Sequence, residues 1–303
     1  MCQHIGIFCN PEKSEKRNIF QKNWLDDSAN EMSLINNLIM KFLKYLTFII
    51  ASSLIFFGCD QSSDTDFGTL RVLLTDAPGN YDAVYVDVQE VRIHKSSDAE
   101  DGDSGWITIN TEPMVVDLLE LTNGRYEILG EEELEPGRYN QLRLILGDQN
   151  EVVIDGQSHA LTTPSGQQSG LKLQIDADIE GGQIYTLLLD FDASRSIVQA
   201  GASGNILLKP VIRTAWLEQT GTISGSIEPS TSLPWVYAIA GADTVAGTRA
   251  AENGDFQIIG LASGTYQVSV IPSEDGYTPV VLSDVEVNAP DETDVGTIQV
   301  DTE

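Results

Sequence analysis

Nucleophilic chemistry has one candidate serine in this chain, and that serine lacks its usual partners. Gly102-Asp-Ser104-Gly places a serine between glycines, but the only histidine close upstream is His94. A catalytic serine needs a histidine base and an acidic residue that orients the base. The sequence also has no Gly-x-Ser-x-Gly elbow, His-Glu-x-x-His motif or phosphate-binding loop. We therefore expect no catalytic residue, and we expect His94 and His159 to be ordinary strand or turn residues.

Carboxylates are far more abundant, since the chain contains 46 Asp and Glu residues. Asp190 and Asp192 alternate along a strand candidate, so their side chains point to the same face. With Asp76 they could supply some of the roughly six to eight oxygen ligands that calcium takes. The alternative is that each is a turn residue or forms a salt bridge to Arg195 or Arg213. Calcium is the only cofactor that the sequence suggests, and two carboxylates of unknown separation also leave a glycoside hydrolase open.

Exposed aromatic rings beside polar groups are the usual components of a glycan site. Trp235, Tyr237 and Tyr277 are the candidate glycan contacts, and packing in a core is the alternative for each.

Cys59 is the residue with the clearest predicted chemistry. The apolar run from Tyr45 to Phe57 follows Lys41 and Lys44 and ends at Gly58-Cys59. This order of basic, apolar and small residues is typical of a secretory signal peptide, and the run is shorter than the roughly 20 residues of a membrane-spanning anchor, which is the alternative. The pattern resembles the bacterial lipobox, with Phe56 and Phe57 in place of its first two residues. The resemblance implies cleavage before Cys59, acylation of its thiol and stable membrane attachment by two or more acyl chains.

The N-terminal organisation follows from that signal. A signal peptide must be N-terminal, yet residues 1–39 precede Met40 and have a different composition. We expect residues 1–39 to be a start-site artefact or a leader, 40–58 to be the signal peptide and 59–67 to be an acidic tether. The predicted location is the bacterial cell envelope, with the outer membrane favoured and the periplasmic or external face left open.

Charge and cysteine content limit the partners. The chain has 17 Lys and Arg and a formal net charge of −29, which disfavours binding to nucleic acid phosphates and favours divalent cations or basic partners. Cys2 and Cys9 precede the signal, so the chain after cleavage keeps only Cys59 and has no internal disulfide.

Short strands separated by turn residues run through almost all of the remaining chain. Such a pattern predicts an all-β protein with two β-sandwich-like domains, at 68–217 and 218–303. Single helical turns are expected at Leu118 to Leu121 and at Ala193 to Val198. Asn253-Gly254 is the strongest hairpin signal, because a type I′ turn needs positive φ at both central residues.

One short pattern occurs twice. Leu134-Glu-Pro-Gly137-Arg-Tyr139 and Leu261-Ala-Ser-Gly264-Thr-Tyr266 place Leu, Gly and Tyr at the same spacing. Each resembles a tyrosine corner, in which the phenol donates a hydrogen bond to an upstream carbonyl. This interpretation gives both tyrosines a structural role.

The C-terminal block resembles the carboxypeptidase regulatory-like domain, a prealbumin-like sandwich. The matching residues are Gly221-Thr-Ile-Ser-Gly-Ser-Ile and Gly254-Asp-Phe256, followed by Gly260-Leu261-Ala-Ser-Gly264-Thr-Tyr266. Such domains are related to starch-binding-like domains, so the resemblance implies an accessory module that binds carbohydrate or acts as a spacer.

The block 68–217 is similar to a domain family of unknown function found in bacterial envelope lipoproteins. The similarity rests on six motifs, which are Leu74-Thr-Asp76-Ala-Pro78, Tyr85-Val-Asp-Val-Gln-Glu-Val91, Leu134-Glu-Pro-Gly137-Arg-Tyr139, Thr163-Pro-Ser165-Gly, Asp190-Phe-Asp192-Ala-Ser-Arg195-Ser-Ile and Leu208-Lys-Pro210-Val-Ile-Arg213. The family implies architecture and location but no activity.

These observations predict a lipid-anchored, non-enzymatic binding or scaffold component of the envelope. The expected partners are the membrane, through the lipid anchor, and glycans or another protein. Two alternatives stay open, a carboxylate-dependent polysaccharide hydrolase and a purely structural spacer.

Overall fold

The computed structural model describes residues 66–77, 79–100, 102–109, 112–164, 170–201 and 204–302. The predictions for residues 1–39, for the signal peptide, for Cys59 and for most of the acidic tether lie outside these residues.

Thirteen strands form the first two sheets. Sheet 1 has the order β13-β10-β1-β5, and sheet 2 has the order β11-β12-β8-β7-β2-β6-β9, with β3 and β4 also paired to β2. The strand bounds are β1 Gly68–Ala77, β2 Ala83–His94, β3 Ile107–Ile109, β4 Met114–Asp117, β5 Glu127–Leu134, β6 Gly137–Leu146, β7 Glu151–Ile154, β8 Gln157–Thr162, β9 Leu171–Ile179, β10 Ile184–Asp192, β11 Ile197–Ala200, β12 Asn205–Leu208 and β13 Ile212–Trp216. We call these strands the N-terminal sandwich.

Alternating side chains explain why the two sheets pack together. Along β9, residues 173, 175, 177 and 179 are buried, whereas the residues between them are exposed. A strand with one apolar face packs that face against a second sheet, and the inner faces of sheets 1 and 2 form one large apolar core.

Seven further strands form two smaller sheets, which we call the C-terminal sandwich. Sheet 3 has the order β17-β14-β20 and sheet 4 has the order β16-β15-β18-β19. The strand bounds are β14 Gly221–Glu228, β15 Trp235–Ala240, β16 Asp243–Arg249, β17 Asp255–Leu261, β18 Gly264–Ile271, β19 Val280–Val287 and β20 Glu292–Gln299. A separate apolar cluster that includes Phe256 and Val268 fills this sandwich. The all-β, sandwich-like architecture predicted from the sequence is therefore confirmed.

Helical structure in the described residues is limited to single turns. A 3-10 turn covers Leu118–Glu120 and an α-helical turn, α1, covers Ala193–Ser196, as predicted. Further 3-10 turns lie at Leu217–Gln219 and Ser230–Ser232. None of these helical elements has the length or apolar character needed to cross a membrane.

Both predicted tyrosine corners are present. The Tyr139 hydroxyl donates to the Glu135 carbonyl at 3.0 Å, and the Tyr266 hydroxyl donates to the Ala262 carbonyl at 2.8 Å. Both rings are buried, and each hydroxyl donates to a carbonyl four residues upstream, in the turn that leads into the strand of the tyrosine.

The predicted hairpin at Asn253-Gly254 is wrong. Only Gly254 has a positive φ, of 90°, and the turn joins β16 of sheet 4 to β17 of sheet 3 rather than two paired strands. The Gly254 N–H donates to the Ala251 carbonyl at 2.8 Å, which closes a turn with Asn253 as its second central residue. The chain thus uses this turn to pass from one sheet to the other.

Candidate functional site

The outer face of sheet 1 packs against the C-terminal sandwich. Alternation along β1 and β10 places Leu73 and Leu188 on this face, and Ala215 of β13 lies beside them. These side chains pack with Leu217 and with Ile259 of β17. Residues 65–303 form one compact unit, and the division into domains at 68–217 and 218–303 stays a prediction.

Arg213 joins the two sandwiches through hydrogen bonds. Its Nε and Nη2 groups donate to Asp190 Oδ2 at 3.1 and 2.6 Å, and its Nη1 donates to the carbonyl of Gly260. The Asp190 side chain is only 7% exposed. Burial raises the pKa of Asp190, and the adjacent Arg213 guanidinium opposes that rise. The pair therefore fixes the C-terminal half of β10 against β17.

Asp192 ends β10 and caps the helical turn α1. Its Oδ1 accepts from the Arg195 N–H at 2.9 Å and from the Ser194 hydroxyl at 2.7 Å. Its Oδ2 accepts from Arg195 Nε at 2.6 Å. Asp192 therefore holds Nε of the Arg195 guanidinium, and the Arg195 side chain as a whole is 62% exposed.

A pocket of about 410 Å³ lies between the two sandwiches at this end of β10. The N-terminal sandwich contributes Ala77 with the Asp190, Asp192, Ser194, Arg195 and Arg213 side chains. The C-terminal sandwich contributes Tyr237 and residues 242–247, which form the β15–β16 connection and the start of β16. The pocket therefore exists only because the two sandwiches meet.

Tyr237 forms the aromatic wall of this pocket. Its ring lies over Gly247 of the neighbouring strand, where an added Cβ would be 2.7 Å from Tyr237 Cδ1. Burial raises the pKa of the Tyr237 phenol, and the negative charge of Asp192 raises it further. Glycine at 247 thus allows the ring to lie flat against the sheet beside the charged residues.

The structure brings two of the three candidate glycan contacts together. Trp235 and Tyr237 alternate along β15 on its outward face, and the guanidinium of Arg249 lies 4.9 Å from the centre of the Trp235 ring. Tyr277 does not line the pocket, and its hydroxyl lies 2.9 Å from the Thr231 hydroxyl while its ring packs against the core.

The three carboxylates proposed for calcium lie near one another but have other partners. Asp190 pairs with Arg213, and Asp192 pairs with Arg195, as the alternative interpretation expected. In the described part of the chain, no group of three or more His, Cys, Asp or Glu side chains is arranged to hold a metal ion. The calcium site stays an untested prediction.

Asp76 lies on the core face of β1, behind the pocket. Its Oδ1 accepts from the Ala193 N–H at 3.1 Å, while Oδ2 is buried without a hydrogen-bond partner among the described residues. Burial raises the pKa of Asp76 well above its ordinary value, and the charges of Asp190, Asp192 and Asp117 add to the rise. This carboxyl group therefore favours its neutral form.

His94 holds a loop rather than activating a serine. Its Nε2 lies 3.0 Å from the backbone carbonyl oxygen of Ser104, and its Nδ1 accepts from the Ser96 N–H at 2.8 Å. The ring also contacts Trp106, with 5.0 Å between the ring centres. His94 therefore contacts the backbone at Ser96 and at Ser104, on either side of the loop that joins β2 to β3.

Sequence reasoning did not find several lining residues. Arg195 and Arg213 entered it only as alternative salt-bridge partners, and residues 242–247 were not considered. The Asp192-Ala-Ser-Arg195 sequence was a usable signal for a capped helical turn, since an Asp at an N-cap commonly accepts a hydrogen bond from a backbone N–H of the first turn. Nothing in the sequence indicated which strands of the C-terminal block would face β10.

Comparison with protein families gives a match for the first block. The model of a domain of unknown function, DUF4382, matches residues 67–210, which confirms the similarity to a domain family without assigned activity. No curated protein matches the chain.

Several solved structures share local similarity with the chain. A mutant type II cohesin–X-dockerin complex from Acetivibrio cellulolyticus is 23% identical and covers 27% of this chain, with a TM-score of 0.22; this chain spans 57% of the length of that protein. The minor pilin GBS52 of Streptococcus agalactiae is 13% identical, covering 77% of this chain and 96% of its own, with a TM-score of 0.21. A Bacteroides ovatus protein described as a putative adhesin is 11% identical, covering 81% and 98%, with a TM-score of 0.18. These scores are too low to carry an argument about fold or function.

Proposed function

We propose that this protein is a lipid-anchored, non-enzymatic binding component of the bacterial cell envelope, and that the pocket between its sandwiches binds a glycan. The single observation that carries the proposal is the composite pocket itself, with Tyr237 facing the Asp192–Arg195 pair across a space of about 410 Å³. Ligand pockets of small molecules have volumes of roughly 300–1,000 Å³ and combine apolar walls with a few convergent polar groups.

The charges of the lining favour a neutral, hydroxyl-rich ligand. Asp190, Asp192 and Asp243 outnumber Arg195 and Arg213, so an anionic ligand would be repelled. Carboxylates accept hydrogen bonds from hydroxyls, the exposed amino groups of Arg195 can donate to ring or hydroxyl oxygens, and an aromatic ring offers a flat apolar surface to a sugar ring. Trp235 lies two residues before Tyr237, on the same face of β15, and extends that surface beyond the pocket.

The arrangement gives little support to hydrolysis. Glycoside hydrolysis needs one carboxylic acid that can reach the leaving group and one free carboxylate. Here Asp192 has both oxygens engaged, Asp190 is paired with Arg213, and Asp76 does not line the pocket, so Asp243 is the one further carboxylate of the lining. Binding without turnover therefore fits these side chains better than the hydrolase alternative.

The membrane attachment in this proposal rests on the sequence around Cys59. Protein isolated from its host should carry ester-linked fatty acid and fractionate with membranes, whereas Cys59→Ser should remain unprocessed or soluble. Absence of fatty acid on the wild-type protein would contradict the proposed lipid anchor, but it would not bear on the proposed binding site.

The binding site is tested with soluble protein, residues 60–303, which retains the whole compact unit from residue 65. We expect retention of neutral glycans on an array, with affinity lowered at least about tenfold by Tyr237→Ala, which corresponds to about 1.4 kcal/mol. Tyr126→Ala is the matched control, because Tyr126 is 49% exposed and belongs to the N-terminal sandwich outside the pocket.

Three results would contradict the proposal. Equal retention of glycans by Tyr237→Ala and Tyr126→Ala would show that glycan binding does not depend on the pocket. No retention by the wild type would show that neutral glycans are not the ligand. Release of reducing ends from any retained glycan would show an enzyme instead.

A further inference from the structure

A second cavity lies at the opposite end of β10 from the pocket. It has a volume of about 400 Å³ and opens between β9, the edge strand of sheet 2, and strands β10 and β13 of sheet 1. Its lining residues are Arg138, Asp176, Ala177, Asp178, Tyr185, Trp216 and Gln219. It shares none of them with the pocket between the sandwiches, so the two cavities can be tested independently. We call it the β9 notch.

Two aromatic side chains form one wall of the β9 notch. Tyr185 and Trp216 are half-buried, and both pack against the core of the N-terminal sandwich. The Tyr185 hydroxyl accepts a hydrogen bond from the Glu180 N–H at 2.9 Å, which fixes the position of its ring. The aromatic wall is therefore held in place by contacts outside the notch.

Carboxylates dominate the charge of the opposite wall. Arg138 donates to both oxygens of Asp176, from Nε at 2.9 Å and from Nη2 at 2.7 Å. Asp178 is exposed and directly opposite Arg138 in the strand register, but its carboxylate has no hydrogen bond or ion pair within the described ranges. One guanidinium thus faces two carboxylates, and the second carboxylate is free.

These features together select the charge of a ligand. An anion would meet the excess of carboxylates and the formal net charge of −29 of the whole chain. A cation would be attracted by both, and the faces of tyrosine and tryptophan rings also attract cations. A compact ammonium group combines these attractions and is small enough for a cavity of this volume.

We propose that the β9 notch binds an organic ammonium group, held between the Asp178 carboxylate and the rings of Tyr185 and Trp216. The ligand class is a primary alkylamine, whether free or as a lysine side chain of a basic partner. This site does not depend on the glycan proposal, because it uses different residues of a different part of the molecule.

The test uses a pair of probes with the same five-carbon chain, one ending in ammonium groups and the other in neutral hydroxyls. Titration calorimetry of residues 60–303 with 1,5-diaminopentane should give saturable binding at low ionic strength, and 1,5-pentanediol should give none. Asp178→Asn should weaken binding of the diamine at least about tenfold. Asp98→Asn removes an exposed carboxylate from another loop of the same sandwich and should leave binding within about twofold of wild type.

Trp216→Leu should weaken binding similarly while retaining the charge of the notch, and a circular dichroism spectrum checks that this partly buried position still folds. Equal loss in Asp178→Asn and Asp98→Asn would show non-specific attraction to an acidic protein and would overturn the site. Equal binding of the diol would overturn the ammonium assignment. Tyr237→Ala should still bind the diamine as wild type does, so this test remains valid even if the glycan proposal fails.

Discussion

Asp76 is the residue whose surroundings conflict most with its charge. Its side chain is buried, only one carboxyl oxygen has a partner, and Asp190, Asp192 and Asp117 add unfavourable negative charge. A carboxyl group in such a position favours the protonated form, because burial and like charges both disfavour ionisation. The residue therefore makes folding stability depend on pH.

The direction of that dependence follows from the raised pKa. Below the ordinary pKa of 3.8, both folded and unfolded chains hold the proton, and the wild type bears no ionisation penalty. As pH rises from there through the raised pKa of the folded state, the unfolded chain releases the proton more readily and stability is lost. Asp76→Asn cannot lose a proton and should escape this loss.

We therefore expect Asp76→Asn to gain stability relative to wild type as pH rises above 4, until the raised pKa of the folded state is passed. Urea denaturation of residues 60–303 at several pH values measures the difference, and any fixed cost of the amide cancels in the comparison. Asp98→Asn, at an exposed position, is the control and should show little change across the same range. A pH-independent difference for Asp76→Asn would mean that Asp76 is ionised in the fold at neutral pH.

At the level of elements, two Gly-containing turns show what short sequence signatures can predict. Asp155-Gly156 has positive φ at both residues, of 51° and 72°, and joins the paired strands β7 and β8. Asn253-Gly254 carries the stronger hairpin signature but joins strands of different sheets. Local residue preferences mark where the chain turns, whereas the pairing of the next strand depends on the core that it must cover.

Local sequence patterns are also insufficient to predict how the strands pair and which residues form the site. Alternating apolar residues predicted a chain of short strands, but they did not predict which strands pair. Pro210 lies between β12 and β13 and lacks an N–H for the ladder, so the chain leaves one sheet there before it enters the other. The tyrosine corners were predictable because each forms within one short segment. The pocket was not, because Asp192 and Tyr237 belong to sheets that pack together through side chains far apart in sequence.

The two turns also provide a paired prediction. A Cβ at residue 254 would collide with the Ile227 carbonyl oxygen, whereas a Cβ at residue 156 would have nothing within 4 Å. Both glycines have positive φ, so Ala at either position incurs a backbone cost of roughly 1–2 kcal/mol. We expect Gly156→Ala to lower the free energy of unfolding by about that amount and Gly254→Ala by clearly more, as measured by chemical denaturation. Equal losses would indicate that the turn at 254 can move away from β14 without cost.

For the whole molecule, the Asp190–Arg213 pair positions one of the polar links across the junction of the sandwiches, which is the hydrogen bond from Arg213 to the Gly260 carbonyl. Asn123 forms two more, from its N–H to the Thr248 hydroxyl at 2.6 Å and from Nδ2 to the Asp255 carbonyl at 3.2 Å. Leu73, Leu188, Ala215 and Ile259 supply a small apolar contact, and a Cβ at Gly260 would approach Leu188 Cδ2 to 3.0 Å. Close backbone approach at Gly260 allows its carbonyl to accept from Arg213. The pocket depends on this junction, because it is lined from both sides.

Removing only one member of this pair should be more harmful than removing both charges. Arg213→Leu leaves Asp190, 7% exposed, without its partner, and breaking a buried ion pair in this way commonly costs about 3–5 kcal/mol. Because the Arg213 side chain is itself 30% exposed, we expect a loss of about 3 kcal/mol in the free energy of unfolding. The double variant Asp190→Asn with Arg213→Leu should recover a substantial part, since no uncompensated charge remains.

Denaturation followed by tryptophan fluorescence measures these losses, with Trp235 as the reporter in the C-terminal sandwich and Trp106 and Trp216 in the N-terminal one. If the junction couples the sandwiches, wild type should unfold in one transition and Arg213→Leu should broaden or split it. A single sharp transition in Arg213→Leu, with stability equal to wild type, would mean that the apolar contact and the Asn123 hydrogen bonds hold the sandwiches together without Arg213. The pocket would then owe its shape to packing of sheet 1 on β17 rather than to the ion pair, and Arg213 would contribute only its charge to the lining.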